Sequence, residues 1–233
     1  MATNDSKSTT DRRRFLGSLA TGAAAVSLGA FTPSIIAHAE NNFIPGGDDD
    51  PDAWFNKVKG KHRIVFDCTA PHEIFPFAWP RVFLMTNAAT GSPEKDCGVV
   101  VILRHEAIPY AFDDAVWTKY KFGGVFKVDD PKTKAPSLRN PFWKPEKGDY
   151  KVPGIGEVQI GINELQASGV MFCVCNAAMT VYSNALADSV KMDAADVMKE
   201  WKAGLLPGVQ IVPSGVWAVG RAQEHGCHYC FVG

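Results

Sequence analysis

The 233-residue sequence predicts an α/β fold, a three-layer sandwich around a mostly parallel five-stranded sheet. Two observations predict it. Short apolar runs recur at residues 64–66, 99–103, 170–174, 209–212 and 228–232, and helical patterns separate them. Alternation of this kind builds βαβ units, which pair strands in parallel. The central runs, Val-Val-Val-Ile-Leu and Val-Met-Phe-Cys-Val, are continuously apolar rather than alternating, as strands covered on both faces must be.

The connecting segments read as helices for local reasons. Residues 72–90 are amphipathic, with Pro76 and Pro80 limiting the first turns. Residues 108–122 follow the second strand, 161–168 precede the third, and 176–190 follow it. Asp193 suits an N-cap, the apolar face Val197, Met198, Trp201 and Leu205 follows, and Gly204 suits the end. Ser214 caps a last helix that closes at Gly226. Residues 123–160 break the rhythm: Pro131, Pro136, Pro141, Pro145 and Pro153 stand among charged residues and glycines, the composition of a surface excursion or lid. Phe142 and Trp143 are its expected anchors on the body or on a neighbouring subunit. No internal repeat is present.

The N-terminus carries an address. Arg12, Arg13, Arg14, Phe15 and Leu16 precede a mildly apolar Gly/Ala/Ser-rich stretch, and Ala37-His38-Ala39 gives a small-x-small cleavage pattern. This is the pattern of a twin-arginine signal, with Asp11 where Ser or Thr usually stands. It predicts a signal peptide over 1–39 cleaved after Ala39, a linker over 40–60, and one domain over 61–233. It also predicts passage through the Tat export machinery to the periplasm or another extracytoplasmic space. Pro33 and the many small residues disfavour a membrane span, so no stable anchor is expected after cleavage.

Removing Lys7, Arg12, Arg13, Arg14, Asp5 and Asp11 with that peptide leaves 194 residues with 20 basic and 23 acidic side chains, a net charge of -3. That excludes the basic footprint of a nucleic-acid binder. With 46% hydrophobic and 21% charged residues, the chain has a globular composition and enough length to bury a core without staples. The run Gly46-Gly47-Asp48-Asp49-Asp50-Pro51-Asp52 lacks the spaced ligands and distal Glu of an EF-hand and reads as solvated linker.

Chemistry is expected beyond the carboxyl ends of the strands. There the sequence places Cys68 and His72 after the first strand, His105 after the second, Cys175 after the third, and Pro213, Ser214 and Gly215 after the fourth. Cys175 stands just before a helix, where free N–H groups and the dipole favour a thiolate. His105 is placed to move a proton beside it. The alternative for Cys175 is a small buried packing residue. Cys68, His72, His105 and Cys175 together also form a possible metal set, with no metal or cofactor specified. Cys173 shares a face with Cys175 and is read as packing. Cys227-x-x-Cys230 falls in a predicted strand, where i and i+3 face opposite sides, and has no second C-x-x-C, so it reads as structural. Disulfides among the six cysteines are permitted outside the cytoplasm but are not required at this length.

Three stretches resemble the DsrE/DsrF-like family of sulfur-relay proteins in its exported branch. They are residues 98–105, ending Leu103-Arg104-His105; residues 169–178, with the strand that ends in Cys175; and residues 206–226, with Leu-Pro-Gly-Val-Gln-Ile-Val-Pro-Ser-Gly and then Arg221-Ala222-Gln223. The resemblance spans about residues 62–233 by motif order. It implies a five-stranded parallel sheet, flavodoxin-like in outline, and a homo-oligomer, commonly a trimer or hexamer. It also implies a persulfide-carrying cysteine at the third strand's end, which Cys175 matches. The family's active members carry basic residues shortly after that cysteine, whereas residues 179–183 here read Met-Thr-Val-Tyr-Ser. The expected function is therefore a thiol-based sulfur carrier or redox protein. Its alternative is a non-catalytic oligomer that binds a small ligand or metal at the carboxyl edge of the sheet.

Overall fold

A computed structural model describes residues 50–233; the twin-arginine segment lies outside the described residues. Five strands form one all-parallel sheet: β1 (His62–Cys68), β2 (Cys97–Leu103), β5 (Met171–Cys175), β6 (Val209–Val212) and β7 (His228–Val232), in the order β6-β5-β2-β1-β7. A separate antiparallel pair, β3 (Lys151–Val152) and β4 (Gly156–Glu157), lies within the Pro-rich excursion. β2 is buried along its whole length, as its unbroken apolar run requires.

The helices lie on two faces of the sheet. α1 (Phe75–Ala89) packs on β1 and β2 from one side, where Phe83 meets Phe66 at 6.4 Å and Phe77 meets Phe172 at 6.4 Å between ring centroids. α7 (Gly215–Glu224) packs on β1 and β2 with Ala218 and Ala222, in a cluster holding Val65, Val100, Ile102 and Cys173. Phe66 and Val65 are neighbours on one strand and so point to opposite faces. α1 and α7 therefore cover opposite sides, which makes the three layers. The topology requires this: β6 is one edge strand and β7 the other, so the last crossover must carry α7 beneath the whole sheet.

Three expectations need correction. The chain is not linker as far as residue 60. A 3-10 turn at Ala53–Lys57 buries Trp54 and Phe55 in the α7-side cluster, because α7 and the sheet leave an apolar face that these rings fill. The helix expected over 108–122 is three pieces: a 3-10 segment His105–Ala111, then α2 (Asp114–Tyr120) and α3 (Phe122–Phe126). Pro109 cannot donate to a continuing ladder, Asp113 caps a fresh start by accepting from the Val116 N–H at 3.0 Å, and Lys121 takes a left-handed φ of 51°. The first helix starts at Phe75 rather than 72, with Pro76 in its opening turn. By contrast, α5 (Asn176–Val190), α6 (Ala194–Ala203) after its Asp193 N-cap, and the Ser214 cap of α7, accepting from the Trp217 N–H at 3.2 Å, lie where the sequence places them.

The Pro-rich excursion is pinned as expected by Phe142, which meets Phe77 at 4.3 Å and stacks on Tyr150 at 4.8 Å. Asn140, fully buried, does as much. Its Nδ2 donates to the carbonyls of Tyr110 and Phe112 at 2.9 Å each, and its Oδ1 accepts from the Phe142 N–H at 3.1 Å. Gly123 permits the close approach, since a Cβ there would stand 2.2 Å from the Ser137 backbone. At its far end, α4 (Ile162–Ala167) is joined to α1 by Arg81, whose guanidinium donates to Gln159 O at 2.6 Å, Ser168 Oγ at 3.0 Å and Glu164 O at 3.3 Å. Among the described residues, no helix is long and apolar enough to cross a membrane.

Candidate functional site at the carboxyl edge

The connections after β1, β2 and β5 lead to helices on the α1 face, while the connection after β6 leads to α7 on the other. The chain therefore leaves β5 and β6 toward opposite faces, and a parallel sheet offers its ligand crevice at such a switch point. Cys175, the last residue of β5, stands there, paired with Val212 of β6. Its Sγ is the N-cap of α5 and accepts from the Ala178 N–H at 3.3 Å. The N-terminus of α7 begins beside it, and the Ala177 N–H donates to Pro213 O at 3.2 Å across the crevice. Neither helix carries an acidic residue in its first turn, so both partial positive charges are unopposed at this point. Cys175 is buried, 5% exposed as a residue.

A polar row lies beside that sulfur. Leu103 pairs with Val174, so Arg104, still extended, stands level with Cys175 on the neighbouring strand. Side-chain alternation puts Arg104 on the face of Ile102 and Cys175 on the face of Cys173, which is the α7 face for both. The Arg104 stem runs against the first residue of α7: a Cβ on Gly215 would lie 2.5 Å from Arg104 Cβ, so only glycine fits. Arg104 Nε and Nη2 donate to Asp67 Oδ1 and Oδ2 at 2.6 and 2.9 Å, a bidentate pair with a carboxylate only 2% exposed. Tyr229 Oη on β7 donates to the same Oδ2 at 2.8 Å. The Asp67 hydrogen bond, first, and then the Asp67 charge hold Arg104 above its ordinary pKa, against the opposing effect of burial. Four adjacent strands, β7, β1, β2 and β5, thus each contribute one group: Tyr229, Asp67, Arg104 and Cys175.

The other expected site residues sit apart from that row. His105 turns the chain out of β2 with φ 51°, a left-handed conformation that histidine tolerates better than most residues. Its Nδ1 lies 3.2 Å from Tyr182 Oη on α5, and among the described residues it makes no hydrogen bond to Cys175. Burial pushes the Tyr182 phenol up. His72 is exposed and contacts the Phe75 ring at 5.1 Å. Cys68 is sealed in the core, and burial pushes its thiol well up, as it does that of Cys173. The possible metal set is not assembled: among the described residues, no three His, Cys, Asp or Glu side chains converge on a cation position. The physical reason is that Cys68 points into the core while His72 points to solvent. All six cysteines are free; Cys227 is buried and Cys230 is half-buried on the edge strand.

No protein-family model and no curated protein matches this chain.

Sequence reasoning passed over Arg104, Asp67 and Tyr229. Asp67 left a usable signal: one carboxylate inside an otherwise apolar strand end must find a buried partner. Arg104, the next residue after the second apolar run, was the nearest cation to supply it.

Proposed function

We propose that this protein is an exported, DsrE-like thiol protein in which Cys175 carries a sulfane sulfur outside the cytoplasm. One observation carries the reading: the Cys175 sulfur lies at the switch point and accepts a helix N-terminal N–H, and Arg104 stands level with Cys175 on the neighbouring strand. A thiolate or persulfide anion is the species such surroundings stabilise. In the transfer, the Cys175 thiolate attacks the terminal sulfur of a persulfide donor. A new S–S bond forms at Cys175, the donor's S–S bond breaks, and the donor leaves as a thiolate, with no net oxidation. The burial of Cys175 favours a small donor over a folded one.

The test is mass spectrometry of the mature protein after incubation with a small-molecule persulfide. The expected result is a gain of about 32 Da, one sulfur atom, mapped to Cys175, removed by dithiothreitol and missing from Cys175→Ser. Unmodified Cys175 at every donor concentration refutes the reading. The same reading makes the protein a homo-oligomer, trimer or hexamer. Exposed Val216, Tyr229 and Phe231 support it, and light scattering that returns a monomer removes it.

A second reading is the binding of a small ligand in a cleft of about 440 Å3 between the β1–α1 loop and the Pro-rich excursion. Its volume falls within the range of small-molecule sites. Tyr110, Phe142 and Tyr150 line it, and so do Glu73, Lys127 and Lys134, three residues with left-handed φ of 49°, 57° and 57°. Native mass spectrometry of protein taken through purification without dialysis reads out any retained ligand, and a ligand-free protein counts against this alternative.

A further inference from the structure

Resting on the homo-oligomer reading and deepening it, we infer that β7 pairs edge to edge with β7 of a second copy, antiparallel and centred on Cys230, so that the assembly holds a twofold axis and an even number of copies. The backbone of β7 sets the geometry. Along a strand, the N–H and C=O of one residue face one side and those of the next residue face the other. The Thr69 N–H donates to Val232 O at 3.0 Å and Cys68 pairs with Val232, so the backbone groups of Val232 face β1. By alternation those of Cys230 and His228 face β1 too, and those of Tyr229 and Phe231 face outward. Among the described residues these four outward groups meet one partner, the Cys230 thiol, which donates to Phe231 O at 3.8 Å. A row of outward donors and acceptors is completed by another extended strand.

Side chains identify that strand. Exposed edges are ordinarily blunted by charge, proline or a bulge. β7 reads His-Tyr-Cys-Phe-Val, with no proline and no Asp, Glu, Lys or Arg, and leaves Tyr229 46% and Phe231 55% exposed. β6, at the other edge of the sheet, presents only half-buried Val209, Gln210 and Ile211. Tyr229 and Phe231 pair with Val65 and Asp67 on the α7 face, and Cys230 pairs with Phe66 on the α1 face. An antiparallel pair centred on Cys230 sets Tyr229 opposite Phe231 of the second copy, and the reverse. Each outward N–H then meets an outward C=O, four aromatic rings gather on the α7 face, and no like charges oppose each other. The pattern is complementary to itself, so the occupant is a second copy. Cys230 stands opposite Cys230 of the second copy at a non-hydrogen-bonded position, where Cα atoms lie about 4.5 Å apart, within the span of a disulfide. The five-residue edge is about 17 Å long and small beside the about 800 Å2 per partner of a free-standing interface. It therefore joins copies that another face already holds, which selects the hexamer, two trimers across a twofold, over the trimer.

The experiment reads particle mass by light scattering for the mature parent, Phe231→Pro and Phe231→Lys, with unfolding midpoints recorded for each. Phe231→Pro deletes an outward N–H and leaves the ladder to β1 intact. Phe231→Lys replaces an exposed ring with a charge and keeps the backbone, so it tests the pairing even where the proline variant fails to fold. The parent is expected to hold an even number of copies, and each variant to show a twofold fall in mass. Diamide, which takes two electrons and two protons from a pair of thiols, should convert the parent to a disulfide-linked dimer on non-reducing electrophoresis, and Cys230→Ser should stay uncoupled. A trimeric parent, or an even-numbered parent whose mass neither variant lowers, overturns the inference and leaves the homo-oligomer reading standing. A halved mass without the Cys230 cross-link overturns the register. A monomeric parent removes the homo-oligomer reading as well.

Discussion

Asp67→Ala is the most informative stability perturbation of the site. Asp67 is 2% exposed and balances the guanidinium of Arg104, whose side chain is 26% exposed. Truncation leaves the guanidinium without its buried counter-charge. Breaking a buried pair costs about 3–5 kcal/mol. Because a quarter of Arg104 already meets water, the lower end, about 3 kcal/mol, is expected. Tyr229 adds little, since its half-exposed hydroxyl regains water. For a domain of this size that corresponds to a fall of about 6–12 °C in Tm. Urea unfolding followed by circular dichroism measures it, with an unchanged m-value showing that the denatured state has not altered. Arg104→Met combined with Asp67→Ala removes both charges and is expected to recover to within about 1 kcal/mol of the native protein, which gives a coupling of about 2 kcal/mol or more. A single variant that loses under about 1 kcal/mol, or a double variant no more stable than the sum of its parts, refutes the claim that these charges are coupled in a buried pair.

Three further outcomes follow from the excursion and its anchors. Phe142→Ala removes a buried ring packed on Phe77 and Tyr150 and should cost about 3–5 kcal/mol, with faster trypsin cleavage between residues 127 and 151 as the local readout. Asn140→Ala leaves the carbonyls of Tyr110 and Phe112 and the N–H of Phe142 without their side-chain partner, and a loss of about 2–4 kcal/mol in urea unfolding is expected; a loss below about 1 kcal/mol would mean that water replaces the amide. The third concerns acid. Burial pushes the carboxyls of Asp130 and Asp149 up, but the Lys132 and Thr133 N–H groups and Arg139 around the first, and Lys132, the Glu146 N–H and Arg139 around the second, outweigh it and hold both below the ordinary value of 3.8. Their stabilisation is therefore complete above that value and is lost as pH falls through the lowered folded-state values. Thermal midpoints between pH 6 and pH 3 should fall less steeply in Asp149→Asn than in the native chain, and parallel slopes would count against the network.

The α/β architecture was legible because it rests on local periodicity. Unbroken apolar runs at 99–103 and 170–174 leave no polar face, so only a sheet covered on both sides can hold them. Local signals placed α5, α6 and α7 closely: Cys175 and Ser214 accept from an N–H three residues on, and Asp193 holds the N-cap position of α6 without a side-chain bond. The segment after β2 was harder, because a proline, a fresh N-cap at Asp113 and the left-handed Lys121 divide a continuous pattern into three short helices. The burial of Trp54 and Phe55 was not legible at all: their partners on α7 lie more than 150 residues away along the chain.

The same division runs through the site. By itself the amino-acid sequence determined that Cys175 would end a buried strand and begin a helix, because apolar run, cap and helix pattern are contiguous there. What stands beside that sulfur was decided by tertiary structure. Strand order and register set Arg104 level with Cys175, brought Tyr229 of the last strand against Asp67 of the first, and turned His105 toward Tyr182 and His72 toward solvent. Side-chain direction in a sheet alternates with every residue, and neighbours across strands follow from pairing alone. Neither quantity is written in any local stretch of sequence, so the polar row exists only once the sheet has formed.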